Sequence, residues 1–177
     1  MASAVATHST DGGIGDVHHV CLTADGLALS GYDATSYFDE DAQQRGPLAG
    51  QPGITATHGT ATYRFATEAN RDRFLANPQN FLPQFGGFCA KAVSENDVYW
   101  VNAKTFLIQD GKLLLFYDME GGANTKDFWL DSKRRWDDGS HPQGSDVATR
   151  LRAAETYWKA GPPPVKQEGG GVQPTSK

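Results

Sequence analysis

The chain has 177 residues, of which 38% are hydrophobic and 21% charged, and its formal net charge is −5. This length suits one domain with loose ends, and a weakly acidic chain has no general attraction to nucleic acid or to anionic lipid. No apolar run approaches the roughly 18 residues that a membrane span needs. We therefore expect a protein that binds neither nucleic acid nor membranes.

The two cysteines, Cys21 and Cys89, lie far apart in the chain, and no paired zinc-ligand spacing occurs. A disulfide framework is excluded, although one long-range disulfide or two free thiols remain open. The N-terminal MASAVATHSTDGG lacks the basic start and apolar centre of a secretory signal. Free thiols in a reducing, cytoplasmic location are therefore favoured.

Composition predicts a three-part organisation. Residues 1–16 are small and polar and are predicted to form a flexible arm, whereas residues 161–177 form a Pro/Gly-rich tail. Such a tail cannot bury enough apolar surface to offset its ordering entropy, so we expect it to be disordered. The folded domain is predicted to span residues 17–160.

Alternating and β-rich segments predict three hairpins, of which the third has the strongest signal, because Asp110-Gly111 suits a type I′ turn. The predicted strand pairs are 17–22 with 27–29, 54–58 with 62–65, and 105–109 with 112–117. Between the first two hairpins, Asp33 is predicted to cap a short helical turn at residues 34–38.

Helices are predicted where capping residues precede periodic apolar positions. The predicted helices are 68–76 after Thr67, a short helix from Pro78, a helical turn at 88–93, a helix from Asn124 or Thr125 to Trp136, and a helix at 146–159. Trp129 and Trp136 would lie one heptad apart on a buried stripe. The fold expected from these elements is α+β, with a small antiparallel sheet and flanking helices.

Three segments resemble the YHS-domain proteins, and specifically the stand-alone branch with a Gly-Tyr-Asp opening and a Gly-Gly-aromatic-Cys-Ala segment. The segments are LSGYDATSYF (29–38), ATYRFATEANRDRFLANPQNFLPQFGGFCAKAVS (61–94) and IQDGKLLLFYD (108–118). The resemblance implies a small α+β, YHS-like domain of a family often found near heavy-metal handling proteins.

The chain departs from metal-binding relatives where they carry thiolates. Relatives have a cysteine pair at the positions of Ala66 and Asn70, and another cysteine near the stretch 31–37, which contains none here. A four-thiolate zinc or mercury site therefore cannot be carried over. Only Cys89, in GGFCA, matches a cysteine typical of the branch.

The densest group of metal-ligating residues is His18, His19 and Cys21. On a strand, residues two apart share a face, so His19 and Cys21 would point the same way. Imidazole and thiolate suit copper or zinc, and soft sulfur favours copper(I). A third ligand would come from Cys89 or His58. The alternative is that Cys21 is a core cysteine and the histidines are half-exposed.

Cys89 follows a double glycine at the predicted start of a short helix, where a thiol gains thiolate character. The alternative is a small residue packed beneath the sheet, and a lone strand histidine such as His58 is ordinarily half-buried. No catalytic triad, phosphate loop or dinucleotide motif occurs.

These observations predict a non-enzymatic metal-binding protein that buffers or delivers copper, with zinc as the second choice. Two alternatives stay open. One is a metal-free interaction or small-ligand module that keeps the YHS fold, and the other is a thiol redox protein that uses Cys89. A homodimer is compatible with the exposed edges of a small sheet.

Overall fold

The computed structural model of the chain describes residues 20–118, 124–131 and 146–162. Short helices pack against two separate two-stranded antiparallel hairpins in these ranges, which confirms the α+β class but divides the single expected sheet in two. The elements are α1 (Ala42–Arg45), β1 (Gln51–His58), β2 (Ala61–Phe65), α2 (Glu68–Ala76), α3 (Ala90–Val93), β3 (Asn102–Gln109), β4 (Lys112–Phe116), α4 (Thr125–Leu130) and α5 (Val147–Ala160). The predicted N-terminal arm and residues 163–177 of the tail lie outside the described residues.

Two of the three predicted hairpins are confirmed. β1 pairs with β2, with a register shift between Gln51 and Thr55, and β3 pairs with β4. Asp110 and Gly111 have φ angles of 50° and 71°. Both values lie in the left-handed region that a type I′ turn requires, and this is why the Asp-Gly signal is reliable.

Of the first predicted hairpin, the described part keeps one isolated antiparallel bridge, between Leu22 and Ala28, and residues 17–19 lie outside the described residues. The Thr23 hydroxyl donates to the Asp25 carboxylate at 2.6 Å and accepts from the Leu27 N–H at 3.0 Å, which closes a tight turn. The backbone then enters a 3-10 turn at Leu29–Gly31 instead of extending as a strand.

The predicted helix cap at Thr67 is confirmed, and the last helix begins one residue later than predicted, with Asp146 as its cap. The Thr67 hydroxyl accepts from the Asn70 N–H at 3.1 Å, and the Asp146 carboxylate accepts from the Thr149 N–H at 2.7 Å. Each bond satisfies one of the free N–H groups at the start of its helix. Local sequence is therefore sufficient to place the starts of α2 and α5 to within one residue.

Helix α4 is shorter than predicted, because it ends at Leu130 and Asp131 is already extended. The Arg150 guanidinium of α5 donates to the carbonyls of Phe128, at 3.2 Å, and of Trp129. In a longer helix these two carbonyls would accept from residues 132 and 133. Trp136, the predicted partner of Trp129 on the buried stripe, lies outside the described residues.

Strand β4 runs through the middle of the core. Leu113 and Leu115 pack in a cluster around Phe65 and Phe74, on the side of β1, β2 and α2. Leu114 and Phe116, which point the opposite way, pack in a second cluster with Trp129, Phe88 and Leu151, on the side of α3, α4 and α5. Burial on both faces explains the continuous apolar run of this strand.

Candidate functional site

Two short left-handed turns face each other across the surface near Cys21. In the first, Leu29, Ser30 and Gly31 have φ angles of 55°, 52° and 81°. In the second, Phe85, Gly86 and Gly87 have φ angles of 54°, 59° and 85°. A left-handed conformation costs a non-glycine residue about 1–2 kcal/mol and persists only where its surroundings impose it.

A small pocket lies between the two turns and has room for about one water molecule. Its lining includes Leu29 and Ser30 from the first turn, Gly86 and Gly87 from the second, and the side chain of Cys21. The remaining lining residues are Val20, Leu22, Thr23, Ala28, Pro83, Trp100, Val101 and Leu115. The lining is therefore mixed, because the hydroxyl residues Thr23 and Ser30 and the cysteine Cys21 stand among apolar residues.

The second turn holds Cys21 in place. The Cys21 N–H donates to the Gly86 carbonyl at 2.9 Å. A Cβ atom at Gly87 would lie 3.7 Å from the Cys21 Cβ and 3.4 Å from Pro83, so the glycine leaves little spare room. The backbone of the double glycine thus fixes where the thiol sits.

Cys21 is half-buried, and its thiol is protonated at neutral pH. Removal from water raises the pKa of Cys21 to about 12, although a backbone hydrogen bond from Val101 acts in the opposite direction. A protonated thiol is a poor nucleophile. A soft metal ion can bind it as a thiolate only by displacing the proton.

Cys89 is only 1% exposed and has all its hydrogen-bonding groups engaged. The Tyr117 N–H donates to Sγ at 3.4 Å, and Sγ lies 3.3 Å from the Thr125 hydroxyl oxygen. That hydroxyl donates its one proton to the Tyr117 carbonyl at 2.8 Å, so the Cys89 thiol donates to it. This geometry favours the alternative interpretation of Cys89 as a small packed residue.

The other predicted ligands are not assembled around Cys21 by the described part of the chain. His58, at the end of β1, is half-buried with its ring edge-on to Phe74 at a centroid distance of 6.3 Å. His18 and His19 lie outside the described residues. Within the described ranges, no three His, Cys, Asp or Glu side chains come together in a group that could hold a metal ion.

A buried carboxylate network lies at the positions that the resemblance to YHS-domain proteins marks for thiolates. Asp33 is fully buried, and its Oδ1 accepts from the N–H and the hydroxyl of Thr35 at 2.9 and 2.8 Å. Its Oδ2 accepts from the Ala66 N–H at 2.8 Å and from the Asn70 side-chain amide at 2.7 Å. Ala66, Asn70 and the 31–37 stretch therefore come together in the fold, and they are joined by hydrogen bonds to the Asp33 carboxylate instead of by thiolates around a metal.

Sequence reasoning identified Asp33 only as the cap of a local turn. Its bonds to Ala66 and Asn70 are made across 33 and 37 residues of chain, so no local pattern could reveal them. The available signal was the resemblance itself, which marks Ala66, Asn70 and the 31–37 stretch as positions of one site.

No helix in the described ranges is long and apolar enough to cross a membrane. Comparison with known proteins finds no matching family model, no matching curated protein and no matching solved structure. The resemblance to YHS-domain proteins thus stays a prediction from three sequence segments.

Proposed function

We propose that this chain is a non-enzymatic metal-binding protein that takes copper(I) at Cys21, for buffering or delivery, with zinc as the second choice. One observation carries the proposal. Cys21, a half-buried cysteine, lines a pocket of about one water's volume and lies two residues after His19 and three after His18 in the chain.

The size and lining of the pocket support an ion over an organic ligand. Organic ligands ordinarily occupy clefts of about 300–1,000 Å³, far more than one water molecule needs. A cysteine sulfur suits a soft ion such as copper(I) better than a hard one such as Mg²⁺. His19 and His18 are the nearest further ligands along the chain.

The proposal leaves out two of the ligands predicted from the sequence. Cys89 already makes hydrogen bonds with Thr125 and Tyr117, and ligation would break them within a buried environment. His58 packs against Phe74. The same engaged thiol gives no support to a redox protein that uses Cys89, because buried structural cysteines are inert.

A second candidate function is favoured by the Asp33 network. The bonds of Asp33 to Ala66 and Asn70 hold together the positions where relatives carry thiolates, without any metal. This is what a metal-free interaction or small-ligand module that keeps the fold would show.

The test is an anaerobic copper(I) titration against a chromophoric chelator, with wild type, Cys21→Ser, Cys89→Ser and a His18→Ala/His19→Ala double variant. We expect one copper per chain in wild type and a loss of affinity of about 100-fold or more in Cys21→Ser, because a hydroxyl replaces the soft ligand. The double histidine variant should also bind more weakly, whereas Cys89→Ser should bind like wild type.

The pH dependence gives a second readout of the same site. Since copper displaces the Cys21 proton, the affinity should rise about tenfold per pH unit between pH 7 and 9. Less than about half a copper per chain in wild type, or full affinity in Cys21→Ser, would overturn the proposal. The metal-free module would then be the function.

A further inference from the structure

The last turn of α5 packs on the turn that holds Cys21. The Trp158 ring meets Phe85 edge to face at a centroid distance of 6.1 Å and lies 6.1 Å from Phe88. Phe85 is the first residue of the left-handed run that continues through Gly86 and Gly87. The Trp158 ring therefore packs against Phe85, the one residue of that run with a large side chain.

Cys21 lies against the next two residues of the same run. Its N–H donates to the Gly86 carbonyl at 2.9 Å, and its Cβ lies 3.7 Å from where a Cβ at Gly87 would be. Three consecutive residues therefore connect the ring of Trp158 to the backbone and side chain of Cys21. No other described residue is needed to make this connection.

We propose that Trp158 is a positioning residue for Cys21, and that seating of its ring on Phe85 sets how accessible the thiol is. A non-glycine residue keeps a left-handed conformation only while its surroundings impose it. Without the ring, Phe85 returns to a right-handed or extended conformation, the Gly86 carbonyl turns away from the Cys21 N–H, and the pocket opens. The link to copper rests on the proposed function, but the effect on thiol access does not.

Helix α5 has other anchors, so Trp158 can be changed without releasing the helix. Leu151 and Ala154 are buried against the core, and Glu155 pairs with Lys112 of β4 at 2.7 Å. Tyr157, the neighbour of Trp158, is 39% exposed and makes no ring contact with Phe85 or Phe88 among the contacts described. It is the matched control position.

The experiment measures alkylation by iodoacetamide at neutral pH, with the rate at each cysteine followed separately by peptide mass spectrometry. In Trp158→Ala we expect the rate at Cys21 to rise about tenfold, with the rate at Cys89 unchanged. Tyr157→Ala should leave both rates at their wild-type values. Hydrogen exchange of the Cys21 amide should accelerate in Trp158→Ala alone, because its bond to Gly86 is lost.

The inference would be overturned if the alkylation rate of Cys21 in Trp158→Ala stayed within about twofold of the wild-type rate. An equal rise in rate at both cysteines would also overturn it, because it would report opening of the whole domain. Should Trp158→Ala fail to fold, Trp158→Leu keeps apolar volume and removes the ring contacts, and the same criteria apply. Alkylation uses no metal, so an absence of copper binding in wild type would refute the proposed function and leave this result standing.

Discussion

Replacing Asp33 by alanine should strongly destabilise the fold, because it removes the acceptor of four hydrogen bonds. The carboxylate is fully buried and binds Thr35 twice, Ala66 once and Asn70 once. In Asp33→Ala the Thr35 N–H and hydroxyl remain buried without a partner. The alanine also removes the link between the Asp33–Thr35 turn and the start of α2.

The expected loss is about 3–5 kcal/mol of unfolding free energy. A hydrogen bond to a charged group contributes about 1.5–3 kcal/mol, so four independent bonds would sum to more than this. The bonds are not independent, and the half-buried Ala66 and Asn70 groups regain water when the carboxylate is removed. Breaking a buried charged network by removing one member typically costs about 3–5 kcal/mol.

Asp33→Asn sharpens the test, because it keeps the size and removes one acceptor. Its oxygen can still accept from Thr35, and the Asn70 amide can turn over to accept from the new NH₂ group. Only the Ala66 N–H then lacks an acceptor, so the loss should be about 1–3 kcal/mol. Asp72→Ala is the control, because Asp72 is an exposed partner of Arg71 and should change stability by about 0.5 kcal/mol or less.

Urea unfolding at pH 7, followed by tryptophan fluorescence and far-UV circular dichroism, gives the four free energies. We expect the free energy of unfolding to decrease in the order wild type, Asp33→Asn, Asp33→Ala. A loss below about 1 kcal/mol in Asp33→Ala would show that water replaces the carboxylate and that the network does not hold the turn to α2.

Two further predictions concern the core and the thiol. Trp129 is fully buried, and its indole N–H donates to Gln109 at 3.0 Å. We therefore expect Trp129→Ala to lower the free energy of unfolding in urea by about 3–5 kcal/mol. A loss below about 1 kcal/mol would mean that α4 is peripheral to the core. Burial raises the pKa of Cys21 to about 12, so above pH 9 the unfolded thiol ionises while the folded one stays protonated, and stability falls. Relative to Cys21→Ser, wild type should lose about 1 kcal/mol between pH 9 and 10 in urea melts, and equal pH profiles would contradict the raised pKa.

Local chemistry was enough to predict many of the elements. The Asp110-Gly111 turn, the Thr67 cap and the Asn124 cap each depend on residues within three positions of one another. Local sequence predicts these features correctly because a type I′ turn or an N-cap needs particular residues whatever packs around it. The apolar run of β4 was also visible, although its burial on both faces was not.

Other features depend on partners that are distant in the chain. Leu29 belongs to a β-rich segment, yet it adopts a left-handed conformation in the folded chain. Near the end of α4, the carbonyls of Phe128 and Trp129 accept from Arg150, about twenty residues later. A local sequence pattern contains no information about partners that are distant in the chain. It therefore predicted a strand at Leu29 and a longer helix at α4.

The same reason separates the two cysteines, which the sequence offered together as metal ligands. Cys21 belongs to the group with His18 and His19, and Cys89 lies in a segment of the YHS resemblance at the predicted start of a helical turn. The structure buries Cys89 against Thr125, 36 residues later, and leaves Cys21 half-buried beside a pocket. Both thiols have a hydrogen-bonding partner in a distant segment, Thr125 for Cys89 and the Val101 backbone for Cys21. The two thiols therefore differ in how completely distant segments bury them, which no local pattern contains.

The two walls of the Cys21 pocket are held by different interactions. The Leu29–Gly31 wall is tied down by hydrogen bonds, from the Gly50 N–H to the Gly31 carbonyl at 2.9 Å and through Asp33 two residues later. The opposite wall, Phe85 with its two glycines, also carries hydrogen bonds, from the Phe88 N–H to the Phe85 carbonyl at 3.0 Å and from the Cys21 N–H to the Gly86 carbonyl at 2.9 Å. It differs in that Phe85 also packs against the Trp158 ring of α5. Ring packing tolerates small displacements better than directional bonds do, so we expect the second wall to move when the pocket admits an ion, and it is the wall that hydrogen-bonds to Cys21.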